Sequence, residues 1–134
     1  MTNSSLQASS ENETFPLHGE VHPKIPLLLT APHSGERIPP EASWLEPIPQ
    51  LTLLTDVDRF VDQLYSGAAD RLHLPLLTTT IHRYAADLNR YPEDVDQDSV
   101  QRAAAASGAF ATGFHWVRTT QGETVLTQAI PQTL

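Results

Sequence analysis

The first group in this sequence equipped for chemistry is a histidine set between a proline and a glycine turn. It stands in Pro26-Leu27-Leu28-Leu29-Thr30-Ala31-Pro32-His33-Ser34-Gly35. The apolar run reads as a buried strand, and a strand ending on histidine brings an imidazole to the rim of a sheet. In open α/β folds that rim binds ligands and metals. Pro32 and Gly35 fix the backbone there and let it come close to whatever binds. His33 is therefore a candidate metal ligand; the structural alternative is an imidazole bonded to nearby carbonyls. Ser34 beside it has no nucleophile-elbow motif, so serine catalysis is not expected.

Two carboxylates, Asp56 and Asp58, precede the strongest helical pattern in the chain. Acidic residues at a helix start gain roughly 0.3–1 kcal/mol from the macrodipole, which alone explains them. One of them could also join His33, because imidazole plus carboxylate is a normal hydrolytic zinc set with water in the open position. A third polar cluster is His82-Arg83-Tyr84-Ala85-Ala86-Asp87-Leu88-Asn89-Arg90. Arg90 either staples the loop through Asp87 or grips a substrate carboxylate in two-pronged fashion. His18, His22, His73 and His115 have no evident partner and read as structural or exposed. Phe114 and Trp116 read as core.

These groups need elements to hold them. The spacing predicts a helix over 56–72, with Val57, Phe60, Val61, Leu64, Tyr65, Ala68, Ala69 and Leu72 on one face. Thr55 and Asp58 resemble a capping box, and Gly67 is expected to permit close packing. Strands are predicted over 27–31 and 74–81, giving a βαβ unit with parallel, right-handed pairing. Residues 36–50, with four prolines, read as a loop containing a helical turn near 41–45. A short helix is expected over 101–106, then a hairpin about Gln121-Gly122. Residues 1–14 read as a flexible polar tail and 15–134 as a single domain. One strong helix is few for a parallel sheet, which needs cover on both faces.

The chain has 134 residues and a formal charge of −8, which argues against nucleic acid and anionic membrane surfaces as partners. It has no cysteine, so thiolate zinc sites, disulfides and a cysteine nucleophile are excluded. No apolar run reaches membrane-spanning length, and the start lacks a signal-peptide pattern. A cytoplasmic location is the resulting expectation.

In this order the pieces resemble the N-formylglutamate amidohydrolase family. The resemblance rests on Pro32-His33-Ser34-Gly35, the Asp-Val-Asp of 56–58 with Val61-Asp62-Gln63-Leu64-Tyr65, His82-Arg83-Tyr84 with Asp87-Leu88-Asn89-Arg90, and Trp116-Val117-Arg118-Thr119-Thr120 with Gly122. It covers roughly residues 26–128. It implies a mixed, mainly parallel α/β sheet with flanking helices, similar to zinc exopeptidases, and zinc-dependent cleavage of the formamide of N-formylglutamate or a similar small anionic N-acyl amino acid to formate and free amino acid. It also implies His33 as first zinc ligand, Asp58 as carboxylate ligand with Asp56 as second choice, and Arg83, Asn89 and Arg90 as substrate-binding residues. The family continues past this length, where a later Asp-x-His-Ser motif supplies a further histidine and a later acidic residue suits a general base. The resemblance thus implies the N-terminal half of the domain, apparently truncated, with an incomplete zinc site and no catalytic base assigned. A second chain or self-association covering exposed core is then expected. The alternative is a non-catalytic remnant or binding protein of the same fold.

Overall fold

The computed structural model describes residues 14–19 and 26–132. The predicted tail lies outside the described residues except for Thr14, and so does His22.

A short sheet runs through the middle of the sequence. Strand β2 (Leu29–Ala31) pairs in parallel with β3 (Leu76–Thr78), Leu29 opposite Leu76 and Ala31 opposite Thr78. Strand β1 (Leu17–His18) adds antiparallel to the far edge of β3, so the order is β1-β3-β2. The βαβ reading therefore holds, within a mixed sheet. Two-residue β1 is too short to leave a periodic signature.

A 3-10 helix over Pro40–Leu45 forms where a helical turn was expected, and α1 (Gln50–Leu53) adds one turn. The long helix α2 spans Val61–Leu72, not 56–72. Phe60 takes φ +66°, a left-handed conformation that a helix interior does not allow. No side chain caps α2, and the Thr55 hydroxyl donates to the Leu51 carbonyl instead, so the expected capping box is absent. Residues 56–59 are thereby left as loop.

The stripe of α2 also faces otherwise than predicted. Only Ala69 is buried, and it packs with Val61 against Leu29, Ala31 and Leu76. Leu64, Tyr65 and Leu72 are 74%, 51% and 61% exposed. The helix thus meets the sheet along the edge of its stripe. A Cβ on Gly67 would meet only the tip of Arg71, at 3.9 Å, so this glycine serves no close contact. Along β2, Leu28 and Thr30 alternate onto the face away from α2, and both are exposed.

The largest core cluster lies beside the sheet. Ala42 and Leu45 of the 3-10 helix pack with Tyr84, Ala85, Trp116 and Val125. Gly35 makes the junction feasible: a Cβ there would sit 2.4 Å from the Ile81 carbonyl oxygen. Its absence lets residues 35–37 run along 80–82, with the Arg37 N–H donating to Thr80 and the His82 N–H to Arg37.

Residues 101–106 form turns, not the expected helix. Arg102 takes φ +63°, and alanines without an apolar face to bury gain little from helix formation. Asp96, fully buried, organises the segment by accepting the N–H groups of Asp98, Ser99 and Phe110. The expected hairpin turn does form about Gln121-Gly122, with Gly122 at φ +89° and an antiparallel bridge between Arg118 and Thr124. Its flanks are isolated bridges instead of full strands. Among the described residues no helix is long and apolar enough to cross a membrane.

Candidate functional site

His33 stands two residues past β2 and is buried between two carboxylates. Its Nε2 lies 2.8 Å from Asp87 Oδ1, and its Nδ1 lies 3.4 Å from Asp58 Oδ2. The Asp58 N–H donates to the His33 carbonyl at 3.0 Å, which folds the loop before α2 over the strand end. Asp58 is more than half exposed, whereas Asp87 is fully buried.

Asp87 explains the orientation of the imidazole. Besides His33 it accepts the Asn89 N–H at 2.9 Å, Arg83 Nη2 at 2.9 Å and the Trp116 indole N–H at 2.9 Å. Burial pushes its carboxyl up, but the bonds from His33, the Asn89 N–H and Arg83 outweigh this and hold it well below the usual carboxylate range. An ionised Asp87 can only accept, so it places the His33 proton on Nε2. In the neutral ring Nδ1 then presents a lone pair toward Asp58. A nitrogen acceptor facing an oxygen acceptor is an arrangement that a cation completes. Imidazole nitrogen and carboxylate oxygen are zinc donors in kind. In number they fall short, because no group of three or more His, Asp or Glu suited to a metal occurs among the described residues.

Three consecutive residues after β3 clamp the loop that carries Asp58. His82 Nε2 donates to the Leu53 carbonyl at 2.9 Å, Arg83 Nη1 to the Asp56 carbonyl at 2.8 Å, and Tyr84 Oη to Asp56 Oδ2 at 2.6 Å. Desolvation lowers the His82 pKa, which suits a neutral ring accepting the Tyr84 N–H on Nδ1. Desolvation together with Asp56 raises the Tyr84 phenol.

The two aspartates named from sequence thus part company. Asp56 also takes the N–H and hydroxyl of Thr120. Burial raises its carboxyl, and the Thr120 and Tyr84 bonds more than reverse this, leaving it low. Asp58 alone faces His33. Arg83, besides its bonds to Asp56 and Asp87, packs its guanidinium 4.6 Å from the Trp116 ring centroid. Arg90 does not staple the loop to Asp87. Its Nε donates to the Thr112 carbonyl at 2.9 Å and its Nη1 to the Asn89 carbonyl at 3.0 Å, and both Asn89 and Arg90 remain exposed. His115 is bonded to the Ala85 carbonyl, away from His33.

Sequence reasoning missed the roles of Asp87, Trp116 and Thr120. Asp87 carried a usable signal, as an aspartate shortly after a strand in a segment dense with donors. Trp116 and Thr120 reach back 29 and 64 residues, and nothing in the linear pattern marks that reach.

A family model described as N-formylglutamate amidohydrolase matches residues 25–133. An N-formylglutamate deformylase of Pseudomonas aeruginosa is 36% identical over 73 residues, which is 53% of this chain and 26% of that protein. The crystal structure of an N-formylglutamate amidohydrolase from Ralstonia eutropha JMP134 matches with a TM-score of 0.65 at 23% identity. The match covers 88% of this chain and 43% of that one, and it shows that the mixed α/β fold is shared. The matched regions cover less than half the length of either protein.

Proposed function

Since the chain belongs to the N-formylglutamate amidohydrolase family, we propose that it serves the hydrolysis of N-formylglutamate or a similar N-formyl amino acid to formate and free amino acid. The observation that carries this reading is His33, held by Asp87 on one nitrogen and facing Asp58 with the other. His33 and Asp58 would hold a zinc ion. Bound there, the ion supplies polarisation of the formyl carbonyl and acidification of a water.

The chain's own residues supply the rest. Asp87 keeps the proton on His33 Nε2, the usual service of a carboxylate behind a metal-bound histidine. Arg83 and Trp116 keep Asp87 ionised and in place. Asn89 and Arg90, exposed at the rim, would hold the substrate carboxylate. Arg83, bonded to the Asp56 carbonyl and to Asp87, would shape the rim beside them. Asp56 would set the loop from which Asp58 projects. Hydrolytic zinc sites ordinarily have three protein ligands. The proposal therefore includes one further donor from outside the described residues or from a second chain, in a fold of zinc-exopeptidase type.

The test is zinc titration of the purified chain with formate assayed from N-formyl amino acids. Stoichiometric zinc and formate release are expected. Asp58→Asn should weaken zinc binding at least tenfold, and Asp56→Asn should weaken it less. Zinc binding without formate release would point to a non-catalytic binding protein of this fold. No zinc binding at all would sink the metal assignment.

A further inference from the structure

Asp58 stands on a stretch of loop that its own helix does not hold. Helix α2 begins only at Val61, has no side-chain cap, and is preceded by Phe60 in the left-handed region. Residues 56–59 are therefore set by what ties them from outside. At one end the Asp58 N–H donates to the His33 carbonyl at 3.0 Å. At the other end Asp56 is held through both carboxylate oxygens and through its carbonyl. The Tyr84 hydroxyl gives its carboxylate one bond, and Thr120 gives it two, from N–H and from hydroxyl. We propose that Thr120 is a positioning residue for the metal site: through Asp56 it fixes where the Asp58 carboxylate stands against His33. The inference rests on the zinc reading above and deepens it, adding a residue that lies 64 positions from Asp56.

The hairpin can position the loop because its turn is stiff. Thr119, buried, accepts the N–H groups of Gln121 at 3.2 Å and Glu123 at 3.1 Å on its hydroxyl oxygen. Its own N–H donates to the Glu123 carbonyl at 2.8 Å, and the Gly122 N–H returns to the Thr119 carbonyl at 3.0 Å. The turn thus presents Thr120 to Asp56 with little freedom of its own. The bonds it makes there end on a carboxylate, and such charge-assisted bonds are the stronger kind. Asp58 has less support: its carboxylate is more than half exposed and lies against His33 Nδ1 at 3.4 Å. A ligand that must be ordered when the metal arrives binds it more weakly than one already in place. A second strut joins the same hairpin to α1, from the Thr52 hydroxyl to the Glu123 carboxylate at 3.3 Å. It braces the hairpin without touching Asp56, which makes it a control.

The experiment compares Thr120→Val, Thr120→Ser and Thr52→Val with the wild-type chain. Valine keeps the shape and the N–H of Thr120 and removes the hydroxyl; serine keeps the hydroxyl. The first readout needs no metal. It is hydrogen exchange of the Asp58 amide by NMR, set against the Leu29 amide that bonds the Pro75 carbonyl in the sheet. Thr120→Val should speed the Asp58 amide about tenfold and leave Leu29 unmoved, as local opening does. The second readout is zinc affinity by calorimetry. Thr120→Val should weaken it about fivefold, less than the roughly 10–100-fold that follows loss of a group touching a ligand directly. Thr120→Ser should restore both values, and Thr52→Val should leave both at the wild-type level. Equal acceleration of the two amides, no acceleration, wild-type zinc affinity in Thr120→Val, or a matching loss in Thr52→Val overturns the proposal. A wild-type chain that binds no zinc fails the metal reading, and the amide comparison still decides whether Thr120 places Asp58.

Discussion

One buried carboxylate decides how the site is held. Asp87 collects four donors from four different residues, His33, Arg83, Asn89 and Trp116. Asp87→Asn would place an amide where two oxygens each accept two bonds, and would leave Arg83 as a buried, unpaired charge. Loss of one partner of such a group costs about 3 kcal/mol, so urea unfolding should show a shift of that size. Zinc affinity should fall with it, because His33 loses the group that fixes its tautomer. Titration follows from the same environments. His82 and His115 are lowered by desolvation, so the folded chain resists a proton that the unfolded chain takes up below about pH 6.5. Asp87 and Asp56 are lowered as well, and their contribution is lost as pH falls below about 4, the unfolded carboxylate range. Both effects have the same sign. The urea midpoint should fall on going from pH 7 to 5 and fall again below pH 4; a midpoint constant across that range would contradict the assignments.

At the scale of elements, the sequence was legible where a pattern was local. Two strands with a helix between them follow from apolar runs and period, although the strands form only over 29–31 and 76–78, where 27–31 and 74–81 were expected. The hairpin turn follows from Gln121-Gly122. The helix start was misplaced because Val57 and Phe60 fit the apolar period, while the backbone at Phe60 turns left-handed. That difference matters for the site, since it frees Asp58 to face His33. The facing of α2 was misjudged for another reason: a period reports that a stripe exists and says nothing of what covers it. Leu64→Ser should therefore change stability by no more than about 0.5 kcal/mol, as for other exposed positions. Ala69→Leu, at the buried contact with Ala31 and Leu76, should cost about 1–3 kcal/mol through overpacking. Gly35→Ala should be worse tolerated than Leu64→Ser, because the new methyl would collide with backbone at Ile81. Thermal melts of the three variants would rank them.

Over the whole molecule, apolar surface is unevenly placed. Leu28 and Leu17 are half exposed on the sheet, and Leu64, Tyr65 and Leu72 are exposed along α2. Exposed apolar side chains gathered along one element, as on α2, mark a surface that meets other protein. The purified chain is expected to bind a hydrophobic dye while folded and to sediment faster as concentration rises. A dye-silent monomer at all concentrations would contradict this. Of the site, His33 and its aspartate partner were readable because strand end, histidine and acidic loop lie in order. The second carboxylate and the groups behind it were not, because they depend on packing between distant segments.

That distance has a temporal meaning. His33 and Asp87 are 54 residues apart, and Asp56 and Thr120 are 64 apart. Contacts between remote positions form late, after the entropy of closing long loops has been met. During synthesis the imidazole emerges well before its buried carboxylate, and the Asp56 loop is tied down only once Thr120 has left the ribosome. A nascent chain halted before Trp116 would carry His33 and Asp58 without the Trp116 and Thr120 bonds that brace their supports, so the proposed metal site should form only after Thr120 has emerged.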